Sequence, residues 1–334
     1  MDWAVIWFVL IAVIFAVFFI LEGFDYGIGI ISPLLGRTDY ERRALINTIG
    51  PVWDGNETWM VTAGGALFAA FPHVYATLFS GFYVALFLLL ASLIFRGVSF
   101  EFRSKDEAPA WRKLWDICIF WGSLLPALLW GVAVANLLRG VPIDAGMNYV
   151  GGFFDLLSPY TLSVGVLFPV LFAYHGSLYA ALKTSDDLSE RAGSLAHRSG
   201  PVAIVLCLVV AVMTWLQTDL FTHPPAVVAL LATAAALIVS VYFSCRKRFG
   251  WSFICSAATI GLFTASLFLG LFPRLMVSSL NPAWSLTVAN ASSSPYTLKL
   301  MTFAAAVFVP IVIAYQAWAH WLMRGRVSAK DLEY

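Results

Sequence analysis

Charged residues are scarce in this sequence: they make up only 12% of its 334 positions, whereas 60% of the positions are hydrophobic. Soluble domains carry charges at about 25% of their positions, so this composition excludes an ordinary soluble protein and predicts an integral membrane protein. Basic and acidic residues nearly cancel, at 20 and 19, for a net charge of +1. This balance argues against a nucleic-acid-binding surface.

Cysteine is also rare, with four residues that fall within or at the ends of apolar segments: Cys118, Cys207, Cys245 and Cys255. Their spacing matches neither a metal site nor an extracellular disulfide framework, so we interpret them as small packing residues. The sequence lacks a P-loop, a GxSxG turn, an HExxH helix and a CxxCH haem-attachment motif. We therefore predict no catalytic residue and no metal site in this chain.

Histidine is too sparse to indicate a haem protein. The five are His73, His175, His197, His223 and His320. No two of them share a predicted helix at a spacing that would stack two haems, and only His175 lies well inside an apolar segment. A single axial histidine can hold a haem, so that alternative stays open, but a hydrogen-bonded polar histidine is the favoured interpretation.

What the sequence does have is long apolar segments. Nine of them cover residues 3–21, 51–72, 74–95, 117–138, 156–182, 201–217, 225–245, 251–272 and 300–323. Most approach the ~20 residues that a helix needs to cross a bilayer, so we predict nine transmembrane helices in one polytopic domain over residues 1–334. The first segment lacks the basic start and cleavage site of a signal peptide and is predicted to be retained.

The distribution of lysine and arginine predicts how the chain is oriented. With nine helices, 17 of the 20 basic residues fall in the connections on one side together with the C-terminal tail. Only Arg139, Arg274 and Lys299 fall elsewhere. Basic residues concentrate on the cytoplasmic side, so we predict an external N-terminus and a cytoplasmic C-terminus.

Two acids begin the second predicted helix, in the segment PVWDGNETWM at 51–60. The uncharged run from Thr58 to Pro72 would rise only about 22 Å, less than the ~30 Å apolar core of a bilayer, so the helix must start earlier, near Pro51. Asp54 and Glu57 then lie inside the span on one face, where an acid is a functional candidate. Alternatively, both acids only favour the helix start through its dipole.

A second acidic pair ends the first predicted helix. Glu22 and Asp25 are three residues apart in ILEGFDYGIGI, on the same predicted side of the membrane as Asp54 and Glu57. Gly23 and Gly27 form a GxxxG step that lets another helix approach closely, which favours burial of Asp25. Glu22 alone is also explained as an ordinary interfacial acid.

Candidate counter-charges lie on the same side. Arg96 follows the last apolar turn of the third predicted helix, and Arg103 comes shortly after it. We predict that Arg96 pairs with one of the acids, although an arginine at a helix end also extends toward water without any function. Asp116, at the start of the fourth predicted helix, has the same two interpretations.

Several of these motifs resemble one known family, subunit II of cytochrome bd quinol:oxygen oxidases. They are GFDYGIG, GRTDYERRALINTIGPVWDGNETWMVTAGGALFAAFP, SGFYVALFLLLASLIFRGVSFEFRSK and MVSSLNPAWSLTVANASSSPYTLKLMTFAAAVFVPIVIAY. The resemblance covers nearly the whole chain. It implies an all-α membrane protein of two four-helix bundles with a ninth helix beside them, in a bacterial cytoplasmic membrane. It also implies a partner, subunit I, that carries two haems b and one haem d and reduces O2 with electrons from quinol.

The resemblance further implies roles for the residues singled out above. Asp25 and Asp54, with Glu57 and Glu22 in support, are expected in a proton pathway from the cytoplasm. The expected charge partners are Arg96, Arg103 and Asp116. Oxygen access is expected near Trp59 and Trp53.

The family also varies in ways that the sequence leaves open. The connection QTDLFTHPP at 217–225 is shorter than in longer members. A quinone bound to this chain, a small single-helix third subunit and the choice of menaquinol or ubiquinol are all undetermined.

Two other functions remain as alternatives. An acid-lined bundle could be a secondary transporter, although transporter sites usually combine broken helices with charges near mid-membrane, and here the acids crowd toward one side. The chain could instead be an assembly partner whose acids only hold subunit I in place.

Overall fold

The computed structural model describes residues 2–327 and Leu332, and this part of the chain is almost entirely helical. The helices are α1 (Trp3–Leu35), α2 (Asp39–Ile49), α3 (Trp53–Ala70), α4 (Pro72–Gly81), α5 (Tyr83–Phe102), α6 (Pro109–Arg139), α7 (Pro159–Lys183), α8 (Asp186–Gln217), α9 (Pro224–Cys245), α10 (Phe249–Leu271) and α11 (Pro295–Leu322). Two short strands, β1 (Arg274–Met276) and β2 (Leu286–Thr287), pair antiparallel.

Eight helices in the described residues are long and apolar enough to cross a membrane, namely α1 and α5 to α11. The one predicted span that is not among these eight is the second, 51–72, which corresponds to α3, whose 18 residues start with the polar stretch WDGNE. An all-helical membrane protein is therefore confirmed, whereas the count of nine and the orientation stay predictions.

The first helix is much longer than the predicted 3–21, because it continues without interruption to Leu35. The apolar run ends at Glu22, but Glu22 and Asp25 are both fully buried inside the protein, so neither ends the helix. At ~1.5 Å per residue, its 33 residues extend about 50 Å. Both acids therefore lie within α1.

The predicted helix at 74–95 is two helices in the structure. Pro72 begins α4 directly after the non-helical Phe71, as expected of a residue without a backbone N–H. Phe82 then separates α4 from α5. Because α5 continues to Phe102, Arg96 lies inside a helix and not beyond its end.

Two further helices start before their apolar segments. Helix α6 begins at Pro109, not at 117, and α8 begins at Asp186, not at 201. The first turns of α8 are amphipathic, with Leu188, Ala192 and Ala196 buried at four-residue spacing, a pattern that an apolar-segment search does not detect. Helices α7, α9, α10 and α11 differ from the predicted 156–182, 225–245, 251–272 and 300–323 by a few residues.

Helix α1 lies at the centre and packs against α3, α6, α7 and α10. Its crossing with α7 is close enough that a Cβ atom on Gly27 would lie 2.1 Å from the carbonyl oxygen of Phe172 and 2.8 Å from the Cα of Gly176. Helix α11 lies at the periphery, and only Leu298 in it is buried.

The two ends of the bundle are built differently. At one end, which we call the strand end, β1 and β2 cover the helix ends, and Ser278 Oγ donates a 2.8 Å hydrogen bond to the carbonyl of Ile143. Asp219 there accepts hydrogen-bonded contacts from Arg274 at 2.7 and 3.0 Å. Burial alone would raise the pKa of Asp219, but the hydrogen bond and charge of Arg274 outweigh it and lower that pKa. The opposite end, which carries α2, we call the α2 end.

Candidate functional site: a buried charge cluster

Arg96 on α5 is the centre of a charge cluster between α1, α3 and α5. Its guanidinium Nη1 lies 2.7 Å from Glu57 Oε1 and 3.3 Å from Glu22 Oε2. Arg96 and Glu22 are fully buried, and the Glu57 side chain is 17% exposed. Tyr26 adds a cation–π contact, with its ring centre 4.9 Å from the guanidinium carbon. One cation is therefore shared by two carboxylates from different helices.

Asp25 belongs to a separate hydrogen-bonded chain beside this pair. The Asn56 side-chain amide on α3 donates a 2.7 Å hydrogen bond to Asp25 Oδ2. On its other side, Asn56 Oδ1 lies 3.3 Å from Nε2 of His320, on the peripheral helix α11. Asn56 and Asp25 are fully buried. This hydrogen-bonded series of side chains therefore runs from Asp25 at the centre of the protein to the half-buried His320 at its edge.

Several polar atoms of the cluster have no hydrogen-bond partner among the described residues: Glu22 Oε1, Asp25 Oδ1, Tyr26 Oη, Arg96 Nε and Arg96 Nη2. Buried polar atoms are normally paired, and exceptions concentrate where a site has a role beyond stability. These donors and acceptors are therefore available for hydrogen bonds beyond the ion pairs of the cluster.

Asp54 is placed differently from the other three acids. It is exposed on the surface of α3, and no ion pair of the described residues includes it. The same face of α3 carries Gly65, where an added Cβ would meet nothing within 4 Å. Asp54, which the sequence placed in the proton pathway with Glu57 only in support, thus faces outward, whereas Glu57 faces Arg96.

Arg103 and Asp116 form a second ion-pair group at the α2 end. Arg103 Nε lies 2.6 Å from Asp116 Oδ1, and its Nη2 lies 2.9 Å from Asp39 Oδ1 on α2. Arg42 and Arg112 complete the group, at 2.8 Å from Asp116 and 2.9 Å from Asp39. No ion pair in residues 2–327 joins this group to the acids of α1 or α3, so the group holds α2 against α6 and the turn that follows α5.

The two predicted tryptophans line α3 on different sides. Trp59 is buried and its indole N–H donates a 3.0 Å hydrogen bond to Gln316 Oε1 on α11. Trp53 packs its ring against Phe100, with ring centres 5.2 Å apart. Gln316 Nε2 in turn donates a 2.6 Å bond to the carbonyl of Gly55.

The buried histidine is fully engaged in hydrogen bonds. His175 Nδ1 lies 2.5 Å from Ser256 Oγ, and Nε2 lies 3.2 Å from the carbonyl of Ile20. Its ring stacks on Phe253 at 4.4 Å. With both nitrogens bonded and one ring face covered, His175 does not fit a haem ligand. The described residues also contain no group of three or more His, Cys, Asp or Glu that could hold a metal ion.

No sequence pattern indicated a role for Asn56, Gln316 or His320. Asn56 contributes to a quoted motif, but its link to Asp25 depends on how α3 packs on α1. Gln316 and His320 are four residues apart in the largely apolar second half of α11, so they lie on one face. That spacing is the only sequence signal that could have indicated them.

A polytopic helical bundle with carboxylates gathered around a buried arginine defines an integral membrane protein with an internal charge cluster. The sequence profile of the family described as cytochrome bd terminal oxidase subunit II matches residues 3–323. This chain belongs to that family, as its motifs predicted, and it is a multi-pass subunit of a terminal oxidoreductase of the bacterial inner membrane.

Relatives share most of their length with this chain. It is 44% identical over 328 residues to cytochrome bd ubiquinol oxidase subunit 2 of Bacillus subtilis (strain 168), covering 98% of this chain and 97% of the relative. It is 38% identical over 365 residues to cytochrome bd-I ubiquinol oxidase subunit 2 of Escherichia coli (strain K12), at 98% and 96% coverage.

The fold is similar to that of a chain in the structure of bd oxidase from Geobacillus thermodenitrificans. The TM-score is 0.78 at 16% identity, and the match covers 96% of this chain and 99% of that one. This likeness shows the fold alone.

Proposed function

We propose that this chain is the haem-free subunit II of an oxidase that oxidises quinol and reduces O2 to water. Its partner is subunit I, which carries two haems b and one haem d. Support comes from family membership and from relatives named as ubiquinol oxidase subunits over nearly their full length. His175 has no nitrogen free for iron, so no haem is assigned to this chain. Family membership also favours the oxidase over a secondary transporter.

The nine-helix count, with α3 as the second span, and the orientation belong to the same proposal. In the predicted orientation the α2 end is cytoplasmic, because 17 of 20 basic residues lie in connections assigned to that side. The whole chain then forms one polytopic domain, with two four-helix groups and α11 beside them. Within these groups α1 packs on α3 and α6, α5 on α6, α7 on α8, and α9 on α10, and the two groups meet where α1 and α6 pack against α7.

The buried acids, in our proposal, admit protons from the cytoplasm. Water formation consumes protons from the inside while quinol oxidation releases protons outside, so the complex builds a proton gradient without pumping. The observation that carries this part is the fully buried Asp25, which has one oxygen held by Asn56 and the other without a partner among the described residues. A carboxylate kept inside a membrane protein with a spare acceptor oxygen is suited to take up and pass on a proton.

Glu22 and Glu57 support that pathway, and Arg96 sets their charge. One guanidinium faces two carboxylates. One of the two carboxylates can therefore accept a proton while the other stays paired with Arg96, and no unpaired charge is left in an apolar site. Asp54 provides the entry at the contact with subunit I. An exposed acid within the lipid-facing surface is costly, so a covering protein partner explains its position better than lipid does.

Oxygen access near Trp59 is the last part of the proposal. Trp59 is buried between α3 and α11, and Trp53 lies at the start of α3 against Phe100. Their aromatic surfaces form an apolar lining that suits a small nonpolar molecule. A Trp59→Ala complex should then change its apparent affinity for oxygen while its affinity for quinol stays unchanged.

The first experiment tests the complex itself. The chain, tagged at Tyr334, is purified gently from native membranes, and a reduced-minus-oxidised spectrum and quinol-driven oxygen uptake are recorded. We expect a second membrane subunit, absorption bands of haems b and d, and oxygen uptake. An intact, haem-free chain that purifies alone would contradict the proposal.

The second experiment separates proton intake from assembly. Asp25→Asn and Asp54→Asn complexes are compared with Glu190→Gln, which changes an exposed acid on α8 outside the cluster. Proton intake predicts normal haem content with slow turnover in the two aspartate variants and normal turnover in the control. Loss of haem would instead show that the acids serve assembly, and normal turnover with normal haem content would exclude both roles.

A further inference from the structure

Helix α11 touches the charge cluster through two side chains only one turn apart. Gln316 holds the first two turns of α3, since it accepts a hydrogen bond from Trp59 and donates one to the carbonyl of Gly55. His320 reaches Asn56 in the next turn, with its Nε2 3.3 Å from Asn56 Oδ1. Since nearly all other side chains of α11 are exposed, these two contacts are what tie this peripheral helix to the site.

The donor and acceptor roles in this chain follow from the chemistry of its members. An ionised Asp25 can only accept, so the Asn56 group that faces it at 2.7 Å is the amide nitrogen. The amide oxygen then faces His320, and Nε2 of His320 must carry the proton that it donates. A proton on Nε2 of His320 therefore holds the amide oxygen of Asn56 toward the histidine and the amide nitrogen toward Asp25.

We propose that His320 is a positioning residue that fixes the Asn56 amide and thereby favours the ionised form of Asp25. This inference rests on the proposed role of Asp25 in proton intake. With the Nε2–H donor in place, the amide N–H faces the carboxylate of Asp25. Without that donor, the amide is free to turn over and present its oxygen, which accepts a hydrogen bond from protonated Asp25. His320 thus controls how tightly Asp25 holds a proton without touching it.

The other charged and titratable groups near Asp25 and His320 are unchanged when His320 is substituted. Asp25 is influenced by Arg96 from α5, by Glu57 from α3 and by Glu22 from its own helix. From α7, Tyr179 lies within electrostatic range of Asp25, and Lys183 lies within range of His320. These groups are Glu22, Glu57, Arg96, Tyr179 and Lys183, and a substitution at 320 leaves each of them in place.

The test follows the protonation of Asp25 directly in the purified complex. The infrared C=O band of a protonated carboxyl is assigned to Asp25 by its absence in Asp25→Asn and is then titrated with pH. The compared variants are His320→Phe, which has no donor, and His320→Gln, which keeps an N–H at similar reach. His197→Gln is the matched control, because His197 is exposed on α8.

We expect the band in His320→Phe to titrate about one pH unit higher than in the parent complex, because a hydrogen bond to a charged group is lost. His320→Gln should return the midpoint toward the parent value, and His197→Gln should leave it unchanged. The alkaline limb of the turnover profile should move in the same direction as the band. A purely structural role of His320 would lower yield without moving either midpoint.

An unchanged midpoint in His320→Phe, within about 0.3 unit, would overturn the proposal. If His320→Phe fails to assemble, His320→Ala is titrated against the same criterion. Slow turnover in Asp25→Asn together with an unmoved midpoint would contradict only the role of His320. Normal turnover in Asp25→Asn with no assignable band would contradict the proton-intake function as well.

Discussion

Removing the positive charge of Arg96 should be the most destabilising single change in the charge cluster. Arg96→Met keeps the unbranched apolar stem and removes the guanidinium, so the change is mainly the loss of a charge and its hydrogen-bond donors. Arg96 is fully buried and contacts both Glu22 and Glu57. Breaking a buried ion pair by removing one partner costs about 3–5 kcal/mol, because an uncompensated charge is left behind.

The assay is equilibrium unfolding of the purified complex in mixed micelles, followed by tryptophan fluorescence. We expect Arg96→Met to lower the free energy of unfolding by about 3–5 kcal/mol at neutral pH. The loss should shrink at acidic pH, since protonation neutralises the two carboxylates. Adding Glu22→Gln should recover part of the loss, because one of the two unpaired charges disappears.

Two results would refute this reasoning. A loss below about 1 kcal/mol with normal haem content would mean that the arginine contributes no more than an exposed pair does. A double variant Arg96→Met with Glu22→Gln that is less stable than Arg96→Met alone would mean that Glu22 has a more important partner than Arg96.

Three further predictions concern packing and the strand end. Gly27→Leu should abolish recovery of the assembled protein, because a Cβ there would lie 2.1 Å from a backbone oxygen. The control Gly250→Ala should be neutral, because a Cβ at that position meets nothing within 4 Å. Gly65→Leu should leave the unfolding of the isolated chain unchanged but reduce co-purification of subunit I; equal co-purification would exclude this face as the interface. The lowered pKa of Asp219 means that its pairing with Arg274 stabilises above the ordinary carboxyl pKa of about 4 and is lost as pH falls through the lower folded value. Asp219→Asn should therefore cost up to about 1 kcal/mol at pH 7 and nothing in strong acid, as measured by unfolding at both pH values.

Sequence patterns located the membrane helices because apolar length is a local property. They did not locate the end of α1, since an apolar run stops at its first charge whether or not that charge has a partner. Glu22 and Asp25 remain helical because α3 and α5 supply Asn56 and Arg96, and those contacts connect residues far apart in sequence.

The same limit applies to the site. Four acids could be collected on one predicted side, but which of them face inward depends on the rotation of each helix. Asp54 and Glu57 are three residues apart, yet Asp54 is exposed and Glu57 meets Arg96. His320 is 264 positions from Asn56, a separation at which local sequence carries no information about contact.

If subunit I covers Asp54 as proposed, the outward-facing acid also affects how cells keep the two subunits in balance. A copy of this chain made in excess of its partner would expose that carboxylate, together with Gly65 on the same face of α3, to lipid. A membrane protease that recognises polar groups in the bilayer would find such a copy and pass over an assembled one. The abundance of this chain should therefore follow the synthesis of its partner, and Asp54→Leu should let unassembled copies accumulate.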